Sequence, residues 1–222
     1  MATADATKPR ILLVSLNLAS FFDGMYGSLL SQLSSKANVQ RVKKAESAIR
    51  LLSEDPRPAA VLITDEALTL KENARVWEAV LQYVRQGGTS VAMGHFSSFV
   101  KPNKMKPFFS KAGLPWESAA YHRTTVVLNR EAVGDSLAAH LPPKYSQKAL
   151  FIKNVVPADA WYVTDEDSVI ESHVFAPTGA HVVGESPVVL ARVENGKLGY
   201  MGDVNAEAGS TDVVLAMCGL SG

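Results

Sequence analysis

Gly87-Gly88-Thr89-Ser90-Val91-Ala92-Met93-Gly94-His95-Phe96-Ser97-Ser98 reads as the end of a helix, a short buried strand and a sharp turn carrying a polar residue. The paired glycines stop the helix, since glycine takes the left-handed conformation at a helix end without a Cβ penalty. Val91 to Met93 is then a strand. In α/β proteins the turn after such a strand lies at the carboxyl edge of the sheet, where ligands and catalytic groups collect. A nucleophile elbow would place Ser or Cys there, usually between glycines. Here the position carries His95.

The flanking sequence repeats the same alternation. Arg10-Ile11-Leu12-Leu13-Val14-Ser15-Leu16-Asn17 is a continuous apolar run, the pattern of a strand covered on both faces in a parallel sheet. Phe22, Met25, Leu29, Leu30 and Leu33 follow at helical spacing. Val39 to Val42 predicts a second strand, and Ala45 to Leu52 a helix ending before Pro56. Ala59 to Asp65 is a third strand, and Val76, Val80, Leu81 and Val84 form the stripe of the helix closed by Gly87-Gly88. Strands alternating with helices imply right-handed crossovers and a doubly wound sheet. The second half is less regular. Thr124–Leu128, Ala149–Val156 and Trp161–Val163 read as strands. Pro187–Val193 and Gly199–Asp203 face each other across Asn195-Gly196, a hairpin signal because both residues tolerate positive φ. Thr211 to Leu220 predicts a last apolar helix with Ser210 or Thr211 as its N-cap.

Composition narrows the function classes. Apolar residues make up 47% of the 222, enough for a substantial core. Twenty-two basic and twenty-two acidic side chains cancel, which argues against nucleic acid as a partner, because phosphate binding needs a clustered positive excess. Lys101, Lys104, Lys106 and Lys111 form a local basic run with Pro102 and Pro107, read as a solvated loop and helix face. Cys218 is the only cysteine, so an intramolecular disulfide and a Cys-rich zinc site are both excluded. No apolar run reaches the ~20 residues that span a bilayer, and Met1 to Arg10 lack the apolar core of a secretory signal. The expectation is a cytoplasmic protein with no membrane association, a flexible tail over residues 1–9 and a single α/β domain over 10–222.

With these elements placed, the chain resembles the class I glutamine amidotransferase-like superfamily, and within it the ThuA-like branch. The residues that carry the resemblance are Ile11–Val14, Val61–Asp65, the helix end Tyr83–Gly88, the turn Gly94-His95-Phe96-Ser97, and Pro187–Arg192 followed by Gly196–Tyr200. The resemblance implies a three-layer, doubly wound, mainly parallel sheet, flavodoxin-like in its first half, with a closing hairpin that returns to the active edge. Amidotransferases carry a cysteine at the elbow and a His-x-Glu pair late in the chain. This sequence has His95 at the elbow and no His-x-Glu anywhere, which excludes glutaminase chemistry.

The candidate catalytic group is His95, whose imidazole can act as acid or base near neutral pH. Asp203, Asn205 and Glu207 alternate after the last strand and would project together from an extended segment, bringing Asp203 or Glu207 to His95 as a carboxylate partner. Asn17, Phe22 and Asp23 follow the first strand, and Asp65-Glu66 ends the third. All five belong to the expected carboxyl edge as ligand-binding candidates, with core packing the alternative for Phe22 and helix capping for Asp23 and the acidic pair. Ser97 follows the elbow, but Gly-x-Ser-x-Gly is absent. His122, His140, His173 and His181 are scattered, without zinc, P-loop or Rossmann spacing, so neither a metal nor a cofactor is expected. Two functions remain open. One is an amidotransferase-like enzyme doing acid–base chemistry on a small polar or carbonyl-containing metabolite without a cysteine. The other is a non-catalytic module that binds a small molecule or a protein partner. Homo-oligomer formation is compatible with both.

Overall fold

The computed structural model describes residues 8–172, 174, 176 and 178–221. The tail expected over residues 1–9 lies almost wholly outside them, as does His173. Among the described residues the strands are β1 (Arg10–Val14), β2 (Asn38–Val42), β3 (Ala60–Ile63), β4 (Thr89–Ala92), β5 (Glu117–Leu128), β6 (Lys144–Lys153), β7 (Ala160–Val163), β8 (Val169–Ile170), β9 (Thr178–Gly179), β10 (Val188–Val193) and β11 (Gly196–Met201). The helices are α1 (Phe22–Met25), α2 (Gly27–Lys36), α3 (Ala45–Ser53), α4 (Ala74–Arg85), α5 (His95–Phe99), α6 (Pro102–Ser110), α7 (Arg130–Val133), α8 (Asp135–Ala138) and α9 (Ala208–Met217).

The main sheet is nine-stranded, in the order β2-β1-β3-β4-β11-β10-β7-β5-β6. From β2 to β11 neighbouring strands run parallel, so β1, β3 and β4 are adjacent and parallel. Both faces of this half are covered. Leu12 and Val14 of β1 join a core under α3, α4 and α6, whereas Ile11 and Leu13 join a second core under α1, α2 and α9. That two-sided burial explains why β1 and β3 read as unbroken apolar runs. The remaining pairings, β11-β10, β10-β7, β7-β5 and β5-β6, are antiparallel. There the chain curls back. Leu150 N–H donates to Gly202 O at 3.0 Å, Val204 N–H to Lys148 O at 3.0 Å and Ile152 N–H to Ser186 O at 3.0 Å.

Three local expectations are corrected. The β10–β11 turn residues are Glu194 and Asn195, with Glu194 at φ +52, and Gly196 is already the first residue of β11, paired with Val193. Gly196 is required for approach, not for turning. A Cβ there would lie 2.0 Å from Val84 O and 2.3 Å from Gly88 O, so only glycine lets β11 pass the end of α4. The last helix begins at Ala208 with Glu207 at its N-cap and no side-chain cap, so Ser210 and Thr211 are inside the helix. Finally, β5 and β6 start well before Thr124 and Ala149, because their first halves are only partly buried and carry polar residues.

Candidate functional site

β4 ends at Ala92, and the chain turns through Gly94 at φ +65, ψ −126 before His95 opens α5. This backbone region is essentially closed to residues with a Cβ. A Cβ on Gly94 would also sit 3.0 Å from Phe22 Cε2 and 3.5 Å from Thr64 O. The turn therefore has the shape of an elbow, and it delivers an imidazole.

His95 is sealed, at 1% exposure. Four rings enclose it: Phe21 at 4.8 Å, Phe99 at 5.0 Å, Phe22 at 5.1 Å and Tyr26 at 5.7 Å between centroids. Phe22 and Tyr26 are buried and stacked on each other, whereas Phe21 and Phe99 are 56% and 46% exposed and cap the site from solvent. Neither imidazole nitrogen has a hydrogen-bond partner among the described residues. Burial holds the imidazole below its ordinary pKa, with the Glu66 charge pulling the other way. At neutral pH the ring is therefore uncharged, with one donor and one acceptor unmet.

A polar group of three residues lies at the ends of β1 and β3. Asp65 Oδ2 accepts from Asn17 N–H at 3.0 Å and Oδ1 from Ala67 N–H at 3.1 Å, so Asp65 caps the 3₁₀ turn Glu66–Thr69. Burial pushes the Asp65 carboxyl up to about 6, and these two backbone bonds oppose it. Asn17 Nδ2 donates to Glu66 Oε1 at 2.6 Å, leaving the buried Glu66 Oε2 without a partner. Of the two acids, Asp65 holds backbone and Glu66 is the one whose charge reaches His95.

Asp203 and Glu207 have other partners. The segment after β11 is not extended: buried Asp203 accepts from Asn205 N–H and Glu207 N–H, both at 2.7 Å, and folds the chain into α9. Burial raises the Asp203 carboxyl above its ordinary range. Glu207 forms an ion pair with Arg123, and the Asn205 amide oxygen accepts from the same guanidinium at 2.8 Å. Asp203, Tyr26 and Gly94 line a cavity of about 10 Å³, room for about one water; His95 is not among its lining residues. Asp23 caps no helix end but pairs with Arg41 at 2.7 Å. Ser97 Oγ donates to Met201 O at 2.7 Å, tying α5 to β11. Cys218 is 7% exposed behind α9, its thiol pushed up to about 12 by burial.

Tyr26 and Phe99 belong to the site, although the sequence reading passes over them. The signal is there, since Tyr26 follows Phe22 and Phe99 follows His95 by four residues, one helical turn. The Tyr26 hydroxyl is also buried without a partner, and burial together with the Asp203 charge raises its pKa.

No protein-family model and no curated protein matches the chain. Solved structures do. A protein described as ThuA-like from Bacteroides uniformis aligns over 98% of this chain and 93% of its own, at TM-score 0.60 and 14% identity. A protein described as part of a GMP synthase, from Thermoplasma acidophilum, aligns over 98% and 96%, at TM-score 0.50 and 10% identity. A β-galactosidase from Bacillus circulans shares the fold over 95% of this chain but only 30% of its own, at TM-score 0.55 and 15% identity. The fold is thus the α/β fold of ThuA-like and glutamine amidotransferase-like proteins, with histidine at the elbow. No helix of the described residues is long and apolar enough to cross a membrane.

Proposed function

We propose that this chain is a ligand-binding module on the amidotransferase-like fold, its elbow receiving a small polar molecule instead of running nucleophilic chemistry. One observation carries the reading. His95 Nδ1, His95 Nε2, Tyr26 Oη and Glu66 Oε2 are all buried without hydrogen-bond partners, and all four belong to residues packed around or electrostatically coupled to the elbow. Buried polar groups are normally satisfied, and each unmet one costs about 1–3 kcal/mol. Two neutral donor–acceptor groups and a carboxylate oxygen suit a ligand rich in hydroxyl, amide or carbonyl groups. Entry requires Phe21 and Phe99 to swing aside, and both are half in solvent already. The balanced charge and single thiol fit a cytoplasmic setting, which we include in the proposal.

The test is a titration of the protein, labelled on its histidine rings, with glutamine, glucose and pyruvate as amide, polyol and oxo-acid probes. A probe that shifts the His95 ring signals and raises Tm in the wild type, but not in His95→Leu, supports the reading. Silence from all three refutes it. An acid–base enzyme is the second reading, favoured by the Glu66 charge acting on His95. Turnover of a probe, lost in both His95→Leu and Glu66→Gln, would select it.

A further inference from the structure

The basic run after the elbow helix reads from sequence as a solvated face, yet in three dimensions part of it closes over a second concavity. A groove of about 290 Å³ lies between the 3₁₀ turns that follow β3, the start of α4, and α6. Its floor is apolar: Leu70, Phe108 and Trp77, with the last two rings stacked 3.9 Å apart and locked by Trp77 Nε1 donating to Phe108 O at 3.2 Å. Three lysines, Lys71, Lys104 and Lys111, line it, and no acidic side chain does. Lys106 of the same run pairs with Glu117 at 2.8 Å; none of the three groove lysines forms an ion pair among the described residues. Lys104 is half-buried, so its ammonium is held at the groove and not dispersed into solvent.

We infer that this groove is a binding site for a phosphorylated small molecule with a flat apolar body. The two halves of the ligand follow from the two halves of the site. Three ammonium groups on a chain of zero net charge repel one another and favour a compact dianion with several acceptor oxygens. A phosphate monoester offers that, whereas a single carboxylate leaves a positive excess. The apolar floor removes an organic ring or short chain from water, at about 25 cal/mol per Å² of apolar surface covered. The volume is at the small end of ligand pockets, which excludes a whole dinucleotide. The groove is separate from the elbow, sharing with it only the turn Glu66–Thr69, so the inference does not depend on the elbow's function.

The experiment is calorimetric titration of the wild-type chain with 1-naphthyl phosphate, inorganic phosphate and 1-naphthol. We expect 1-naphthyl phosphate to bind at least tenfold more tightly than either half alone. The Lys71→Glu/Lys104→Glu double variant, whose substituted side chains are outside the core, should weaken it at least tenfold while keeping the wild-type circular dichroism and Tm. His95→Leu should leave the affinity unchanged. Equal affinity for 1-naphthol would show that charge plays no part and would overturn the inference. So would equal affinity for inorganic phosphate, wild-type affinity in a folded double variant, or no binding up to millimolar concentration. If the double variant misfolds, Lys104→Met, which keeps the apolar stem, replaces it and must weaken binding by at least threefold.

Discussion

His95→Leu should make this protein more stable. The native imidazole is 1% exposed, packed by four aromatic rings, and has both nitrogens without partners. A neutral imidazole buries one unmet donor and one unmet acceptor, at about 1–3 kcal/mol each. Leucine is of similar volume and removes both. Against that gain stands the loss of ring–ring contacts, about 0.5–1.5 kcal/mol for each that matters. The balance is a net gain of about 1–2 kcal/mol, or about 2–6 °C in Tm for a domain of this size. Acid adds a second signature. Because the folded-state pKa of His95 lies below its ordinary value, the unfolded chain takes up a proton first as pH falls below about 6.5. The wild type therefore loses stability below that pH, by up to about 1.4 kcal/mol per unit, until the folded-state pKa is reached. His95→Leu escapes this loss, so its advantage should widen from pH 7.5 to pH 5.5. Urea unfolding at both pH values, with m unchanged, measures it. A variant less stable than wild type at pH 7.5, with a gap that does not widen in acid, would show that the imidazole is bonded and that the elbow reading is unsound.

Gly94→Ala should cost about 2–4 kcal/mol, from the φ +65 backbone and a Cβ placed 3.0 Å from Phe22; a urea-measured loss under 1 kcal/mol would mean that the elbow relaxes freely. Asp65, pushed up to about 6, holds its proton in the folded chain after the unfolded chain has lost it, so its contribution to stability falls as pH rises from about 4 to about 6. Asp65→Asn removes that slope, and its stability relative to wild type should improve by about 2–3 kcal/mol between pH 4 and pH 7; a pH-independent difference would refute this. Cys218→Ser should cost about 1 kcal/mol and leave ligand binding intact, and in the wild type a thiol reagent should label Cys218 only on unfolding, given its 7% exposure and raised pKa. Rapid labelling of the native chain would contradict the packing of α9.

The parallel half of the sheet is legible in the sequence because β1 and β3 are buried on both faces, which leaves little choice but apolar residues. The elbow is legible for the same reason, with Gly94 marking where the strand must turn. β5 and β6 read short because their outer halves mix polar and half-buried positions, and pairing across β5 and β6 is a property of no single stretch. Asp203 and Glu207 mislead by alternation: the spacing fits an extended strand, but two backbone N–H groups bend the chain around the Asp203 carboxylate. Gly196 reads as a turn residue because the carbonyls it must clear, Val84 O and Gly88 O, are remote in sequence. Glu66 and Asp65 are adjacent and chemically alike, so only the fold separates the acid that caps backbone from the acid that faces the histidine.

The inward curl at the far end of the sheet bears on how copies of this chain can meet. A sheet normally presents two raw edges, each a template for an incoming strand. Here β6 already has its outward side engaged by the chain's own Ser186 and Gly202–Val204 segments, through the bonds of Lys148, Leu150 and Ile152. Growth by strand addition is thereby confined to β2 and the short remainder of β6. β2 carries Gln40 and Arg41, with the Arg41 guanidinium over the Phe22 ring at 5.5 Å. A strand docking on β2 would therefore arrive beside the wall of the histidine site, so assembly by that edge and access to the elbow would contend for the same side of the molecule.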